Sequence, residues 1–212
     1  MVIAIDGPAG AGKSTVARGL ARALGFTYLD SGAMYRCVAL AALEQHLDLG
    51  DGEALGELAW RLDIGFAGGA IRLDGKSVEG RIRTPEVTVA ASQVSVHPQV
   101  RRAMVKRQRE LIAAGDYVAE GRDIGTVVSP DSPLKVFLTA SEAERARRRA
   151  AETGDSLDDV REAIEDRDRR DRSREHGALR AAEDSVSLDT TDLGPDEVVQ
   201  RIAELARERG IA

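Results

Sequence analysis

The chain has 212 residues, a net charge of −6 and 31% charged residues. That length suits one domain with insertions and can bury a real core, while the acidic balance argues against a nonspecific nucleic-acid binder, which is ordinarily basic. The sole cysteine, Cys37, rules out an internal disulfide, and no apolar run approaches the roughly 18 residues of a membrane span.

With no secretory leader read at its start, the chain is expected in the cytoplasm. Aromatic residues make up only 3% of it, so the core must be built from Leu, Val, Ile and Ala. Arginine far outnumbers lysine and asparagine is absent, a pattern that fits ion-pair networks or genome composition equally well.

Val2-Ile3-Ala4-Ile5 reads as a buried parallel strand. It runs into Gly7-Pro8-Ala9-Gly10-Ala11-Gly12-Lys13-Ser14, a full G-x-x-x-x-G-K-[ST] phosphate loop. Glycines let such a loop bend tightly and point N–H groups at an anion, Lys13 brings a cation, and Ser14 offers a hydroxyl to Mg²⁺. From Ser14 to Leu24 the apolar residues Val16, Leu20, Ala23 and Leu24 keep helical spacing, and Gly25 stands where a helix C-terminal glycine belongs.

A second strand is predicted over 26–29 and a helix from about Ala33 to Gln45, with Cys37 as a small core residue. The stretch from Ala54 to Leu62 is apolar-periodic, and Trp60 reads as a core anchor there. Residues 63–83 alternate instead, with turns at Gly68-Gly69 and Asp74-Gly75, which predicts a small antiparallel insert. Thr84-Pro85-Glu86 starts a helix; His97-Pro98 ends it and starts another running to Gly115. Strands follow at 117–120, 134–139 and 185–188. Between and after them lie helices from Ser141 to Ala151, from Ser156 to about Arg172, and from Pro195 to Arg209. Strands alternating with helices predict an α/β fold, a five-stranded parallel sheet covered on both faces.

Two classes of phosphate-loop protein compete. A regulatory GTPase needs an N-K-x-D segment and usually a D-x-x-G switch, and the chain has neither. A small-molecule kinase needs a second anion site and cations that close over the transferring phosphoryl. Candidates are Ser31 and Arg36 after the second strand and Arg122 and Asp123 after the third, because loops at the carboxyl ends of parallel strands share one edge. Arg167, Asp171 and Arg174 share a helix face by their spacing. Residues 145–174 carry ten arginines against nine acids, so a solvated face laced with ion pairs competes with a ligand-binding one. Three scattered histidines make a metal site from them unattractive.

Five segments in order resemble the bacterial cytidylate kinases, nucleoside monophosphate kinases of the phosphate-loop group. They are residues 5–15, residues 29–36 (Leu29-Asp30-Ser31-Gly32-Ala33-Met34-Tyr35-Arg36), Ala91-Ser92-Gln93-Val94, residues 120–128 beginning Glu120-Gly121-Arg122-Asp123, and residues 167–174. The resemblance spans essentially the whole chain. It implies a single kinase domain over 1–212, with a nucleotide-monophosphate insert at about 32–115 (its antiparallel part at about 63–83) and a short lid at about 152–175.

It implies that Gly7, Pro8, Ala9, Gly10, Ala11, Gly12, Lys13, Ser14 and Thr15 hold the ATP phosphates, with Ser14 on Mg²⁺. Ser31, Tyr35, Arg36 and Arg122 would bind the acceptor on its phosphate side. Ser92, Arg101 and Asp123 would face cytosine, while Arg167, Asp171 and Arg174 would reach sugar and phosphate. Lys13, Arg36, Arg122, Arg170 and Arg172 would be the catalytic cations, and one of Arg145, Arg148 or Arg149 would meet adenine. Glu120 stands where relatives often carry Asp, so a role near Mg²⁺ and a structural role both stay open. The implied reaction moves a phosphoryl group from ATP to CMP or dCMP, in a monomer without nucleic-acid or membrane partners. A UMP or AMP kinase, or a nonenzymatic nucleotide-binding protein, is the alternative.

Overall fold

The computed structural model of the protein describes residues 1–67 and 69–211. Strand β1 (Val2–Asp6) is buried throughout and leads through the glycine-rich loop into helix α1 (Lys13–Leu24). Gly25 caps α1 in the left-handed region, and β2 (Thr27–Asp30) follows. Helix α2 (Ser31–Glu44) starts two residues earlier than its periodicity suggests, because the Asp30 side chain accepts from the Ala33 N–H and caps it there. Cys37 is fully buried in α2, and burial, with Asp30 and Asp74 adding, pushes its thiol up to about 12.

Helix α3 (Gly52–Arg61) buries Leu55, Leu58 and Ala59, but Trp60 is 54% exposed and anchors no core. The stripe set by residues 55, 58 and 59 turns position 60 away from the packed face. Its ring instead carries the Lys106 ammonium, 5.2 Å from the centroid. The expected insert is a three-stranded antiparallel sheet of β3 (Ile64–Ala67), β4 (Ala70–Leu73) and β5 (Lys76–Ser77). Gly68 of the expected Gly68-Gly69 turn lies outside the described residues, and Asp74 and Gly75 take positive φ in the second turn. Helix α4 (Pro85–Val94) is capped by Thr84, and α5 (Pro98–Ile112) stops short of Gly115.

Strand β6 (Tyr117–Gly121) is followed by a π-helical turn over Ile124–Val128 that local patterning does not reveal. Then come β7 (Leu134–Thr139), α6 (Glu142–Thr153), α7 (Leu157–Ser173), β8 (Val186–Asp189) and α8 (Pro195–Glu208). Side chains of Ser141 and Ser156 cap α6 and α7.

The chain forms two compact units, Met1–Leu29 with Ala114–Ala212, and Asp30–Ala113. The five-stranded parallel sheet has the order β2-β6-β1-β7-β8, so β1 is central, with β6 and β7 parallel on its two sides. Its core joins Ile3, Ile5, Val118 and Leu138 to α1 through Val16 and Leu20, and to α8 through Val198 and Ile202. Within Asp30–Ala113, α2 packs on α4 and α3 on α5. Gly56 lets α3 approach closely, since a Cβ there would sit 2.5 Å from the Gln99 Cβ. No described helix is long and apolar enough to cross a membrane.

Candidate active site

The phosphate loop leaves the carboxyl end of the central strand. Gly7 has φ +151, and a Cβ there would lie 2.2 Å from the Leu138 carbonyl oxygen, so no other residue fits. Lys13 is buried and its Nζ donates to the Pro8 carbonyl at 2.6 Å. Burial first, then the Arg122 guanidinium, draws Lys13 down to about 7; Glu120 and Asp171 oppose this and Arg167 adds to it. Ser14 and Thr15 are exposed on the first turn of α1. Ala9 behaves differently from its neighbours, because its N–H is committed to Asp168 Oδ1 at 3.3 Å.

Asp6, at the end of β1, anchors the neighbouring loop. Its carboxylate accepts from the backbone N–H groups of Ile124 (2.8 Å) and Gly125 (2.7 Å), just beyond Arg122 and Asp123. Burial pushes Asp6 up to about 6 against those two bonds; Asp123 adds to the rise and Lys13 opposes it. Glu120, buried at the end of β6, accepts from the Tyr28 hydroxyl, whose ring carries the Arg18 guanidinium at 5.1 Å.

Three of the expected arginines gather round one carboxylate. Arg122 Nε donates to Asp171 Oδ2 at 2.8 Å, Arg174 donates to Oδ1, and Arg167 Nε stands 4.0 Å from Oδ2. Asp171 is 1% exposed. Burial opposes its ionisation, yet Arg122, Arg174 and Arg167 together hold it below the ordinary carboxylate range. This cluster lies within electrostatic reach of Lys13, and guanidinium groups suit an anionic ligand. The helix-face expectation for residues 167, 171 and 174 thus acquires a fourth member, Arg122, from another element.

Arg170 turns back on its own helix, donating to the Asp166 carbonyl at 3.2 Å. Arg172 is exposed and, with Pro8, Glu142, Arg145 and Arg180, helps line a cavity of about 480 Å³. Neither joins the Asp171 group. Of the adenine candidates, Arg145 is buried and bonded to Asp168, Arg148 donates to Glu144 and Thr190, and Arg149 pairs with Glu152.

In Asp30–Ala113, Ser31 and Tyr35 are buried and Arg36 half-buried on α2. Arg101, 4% exposed, lies over the Tyr35 ring at 5.7 Å. The Ser92 hydroxyl on α4 is buried and meets no hydrogen-bond partner among the described residues. A buried orphan hydroxyl is costly unless something polar reaches it.

Sequence reasoning missed Asp6, Tyr28 and Asp168. A signal for the last existed: Val160, Ile164, Asp168 and Asp171 continue one helical stripe, so two carboxylates occupy apolar positions of α7.

A family model for cytidylate kinase matches residues 3–208. A cytidylate kinase from Exiguobacterium sibiricum is 50% identical over 213 residues, covering 96% of this chain and 96% of that one. Another, from Caldanaerobacter subterraneus subsp. tengcongensis, is 47% identical over 211 residues, covering 97% and 94%. The structure is similar to that of a gluconokinase from Sinorhizobium meliloti 1021 (TM-score 0.53, 17% identity, 99% and 93% covered), a likeness of fold alone. The family match runs from β1 through α8 and takes in the phosphate loop and the arginines around Asp171, so the chain belongs to the cytidylate kinase family.

Proposed function

We propose that the protein transfers the γ-phosphoryl group of ATP to CMP or dCMP, giving ADP and CDP or dCDP. The observation that carries this reading is the pair of arginines, Arg122 and Arg174, bonded to buried Asp171 in the same compact unit as the phosphate loop, in a chain of this family. In the transfer, the bond from the γ-phosphorus to the β–γ bridging oxygen breaks, and a bond to an acceptor phosphate oxygen forms. The acceptor phosphate is anionic near neutral pH, so no general base is needed and catalysis is positioning plus charge stabilisation.

The backbone of residues 7–15, apart from the Ala9 N–H that Asp168 holds, serves the ATP phosphates, with Lys13 as the cation nearest the transferring group. Arg122, Arg167 and Arg174, oriented by Asp171, serve the acceptor's phosphate and sugar, and Ser31, Tyr35 and Arg36 its phosphate side. Ser92, Arg101 and Asp123 read cytosine: a carboxylate only accepts, which suits the cytosine amino group, and a guanidinium only donates, which suits its carbonyl edge. The orphan Ser92 hydroxyl supports that assignment. Arg170 and Arg172 belong to a lid at about 152–175, and the insert at about 32–115 serves the acceptor.

Ser14 presents an exposed hard oxygen donor beside the phosphate loop, and no group of three His, Cys, Asp or Glu side chains among the described residues could hold a metal alone. That donor set fits Mg²⁺ held largely by the nucleotide phosphates, where it would neutralise their charge. The protein acts as a cytoplasmic monomer. Supplying CMP, dCMP, UMP, AMP and GMP separately with ATP tests the reading: CMP and dCMP should dominate kcat/KM, and a preference for UMP or AMP would replace it.

A further inference from the structure

The outer limb of the phosphate loop is built onto the two helices that flank the 153–156 turn. The Ala9 N–H donates to Asp168 Oδ1 of α7 at 3.3 Å, and the Ala9 carbonyl accepts from Arg145 Nη1 of α6 at 3.0 Å. Arg145 Nη1 closes the ring by donating to Asp168 Oδ2 at 2.6 Å. Arg145 and Asp168 are 4% and 3% exposed. The Ala9 methyl belongs to the small apolar cluster of α6 and α7, beside Ala146, Val160 and Ile164. Gly10 brings its backbone so near α6 that a Cβ would lie 2.8 Å from the Arg145 carbonyl oxygen.

Both backbone polar groups of one phosphate-loop residue are thus held by a single buried ion pair whose members sit on different helices. A buried pair of this kind is costly to break from one side, because the remaining charge is left without compensation. It therefore fixes the geometry of what it grips better than a surface pair could.

We propose that Arg145 and Asp168 are positioning residues for the donor nucleotide: their ion pair clamps Ala9 and sets the shape of the phosphate loop, so that α6, α7 and the loop act as one mechanical element. The proposal rests on the reading of this loop as the ATP site. It differs from an adenine-stacking role for Arg145, whose guanidinium faces Ala9 and Asp168.

The clamp makes a claim that general stabilisation does not. Loosening it should weaken ATP far more than CMP, because Arg145 and Asp168 bond to Ala9 and to each other, whereas Asp171 bonds to Arg122 and Arg174, and Asp168 reaches Arg122 only through space. Asp168→Asn keeps the volume but can no longer accept from both Ala9 and Arg145 as an anion. Calorimetric binding of MgATP to the full chain without acceptor should show affinity reduced on the order of tenfold or more, the range for charge-assisted hydrogen bonds. KM for CMP at saturating ATP should stay within about twofold. The Arg145→Met, Asp168→Asn double variant should bind MgATP no worse than the poorer single variant, as expected of residues acting as a unit. Arg145→Lys, which keeps the charge but not the shared Nη1 geometry, provides the same readout if Asp168→Asn does not fold. Unchanged ATP affinity in a folded variant, or equal losses for ATP and CMP, would overturn the clamp. Because MgATP binding is read without acceptor, a failure to phosphorylate CMP would sink the functional reading and leave this test intact.

Discussion

Lys13 is the residue whose chemistry is most sharply defined by its surroundings. Burial and Arg122 lower it to about 7, which predicts a largely neutral amine in the free protein at pH 8. ATP phosphates favour the charged form, so binding must take up a proton. Calorimetry at pH 8 in two buffers of different ionisation enthalpy should report close to one proton taken up, and ATP affinity should fall as pH rises above 7. Lys13→Arg keeps its charge and should show neither effect; equal uptake in both proteins would place the titrating group elsewhere.

Asp123 offers a second test at this scale. Asp123→Asn replaces an acceptor by an amide that can donate to a uracil carbonyl at similar volume. The CMP-to-UMP ratio of kcat/KM should collapse by about 10²-fold or more, mostly through loss with CMP. If the ratio survives within about twofold while stability drops, Asp123 only shapes the turn, whose Val127 and Val128 N–H groups bond to its carbonyl.

Among the elements, the turn after β6 depends most on a distant residue. Asp6 holds Ile124 and Gly125 from the end of β1, and its carboxyl is raised to about 6 from an ordinary 3.8. Between those values the folded protein binds a proton that the unfolded chain releases. The stability this group contributes is therefore present at low pH and is lost as pH rises through 6. Between pH 4.5 and 7.5 the loss should be about 2 kcal/mol. Urea unfolding of the parent and Asp6→Asn across that range should show their stability difference shifting by this amount, with the parent falling relative to the variant; parallel curves would show that Asp6 does not titrate there.

Over the whole molecule, the arginine excess divides into two populations. Arg161–Glu165, Arg201–Glu197 and Arg169–Asp166 are exposed helix pairs, whereas Arg145–Asp168 is buried and Arg122–Asp171 largely so. Exposed pairs contribute little and are screened by salt, while buried ones are screened far less. Raising NaCl from about 0.1 to 1 M should therefore move Tm by no more than about 5 °C. A fall of about 15 °C in a thermal melt would mean that the surface pairs act as a stabilising network.

Local rules settled much of this protein. The strand, loop and helix around Gly7 to Ser14 follow from glycine geometry and apolar spacing within some 25 residues, and Thr84, Ser141 and Ser156 cap their helices through neighbours three positions away. The family motifs named the arginines in order. Other features were settled only by tertiary structure. Asp6 meets Ile124 across 118 positions and Ala9 meets Asp168 across 159, partners that no helical or strand period can specify. Strand order brings them together, since β1 inserts between β6 and β7 and carries its carboxyl end to theirs. Trp60 shows the same limit in reverse: its apolar type suggested burial, and only the face of α3 that packs on α5 decided otherwise. Propensity and spacing act over a few residues, whereas burial and ion pairing depend on which elements the topology makes neighbours.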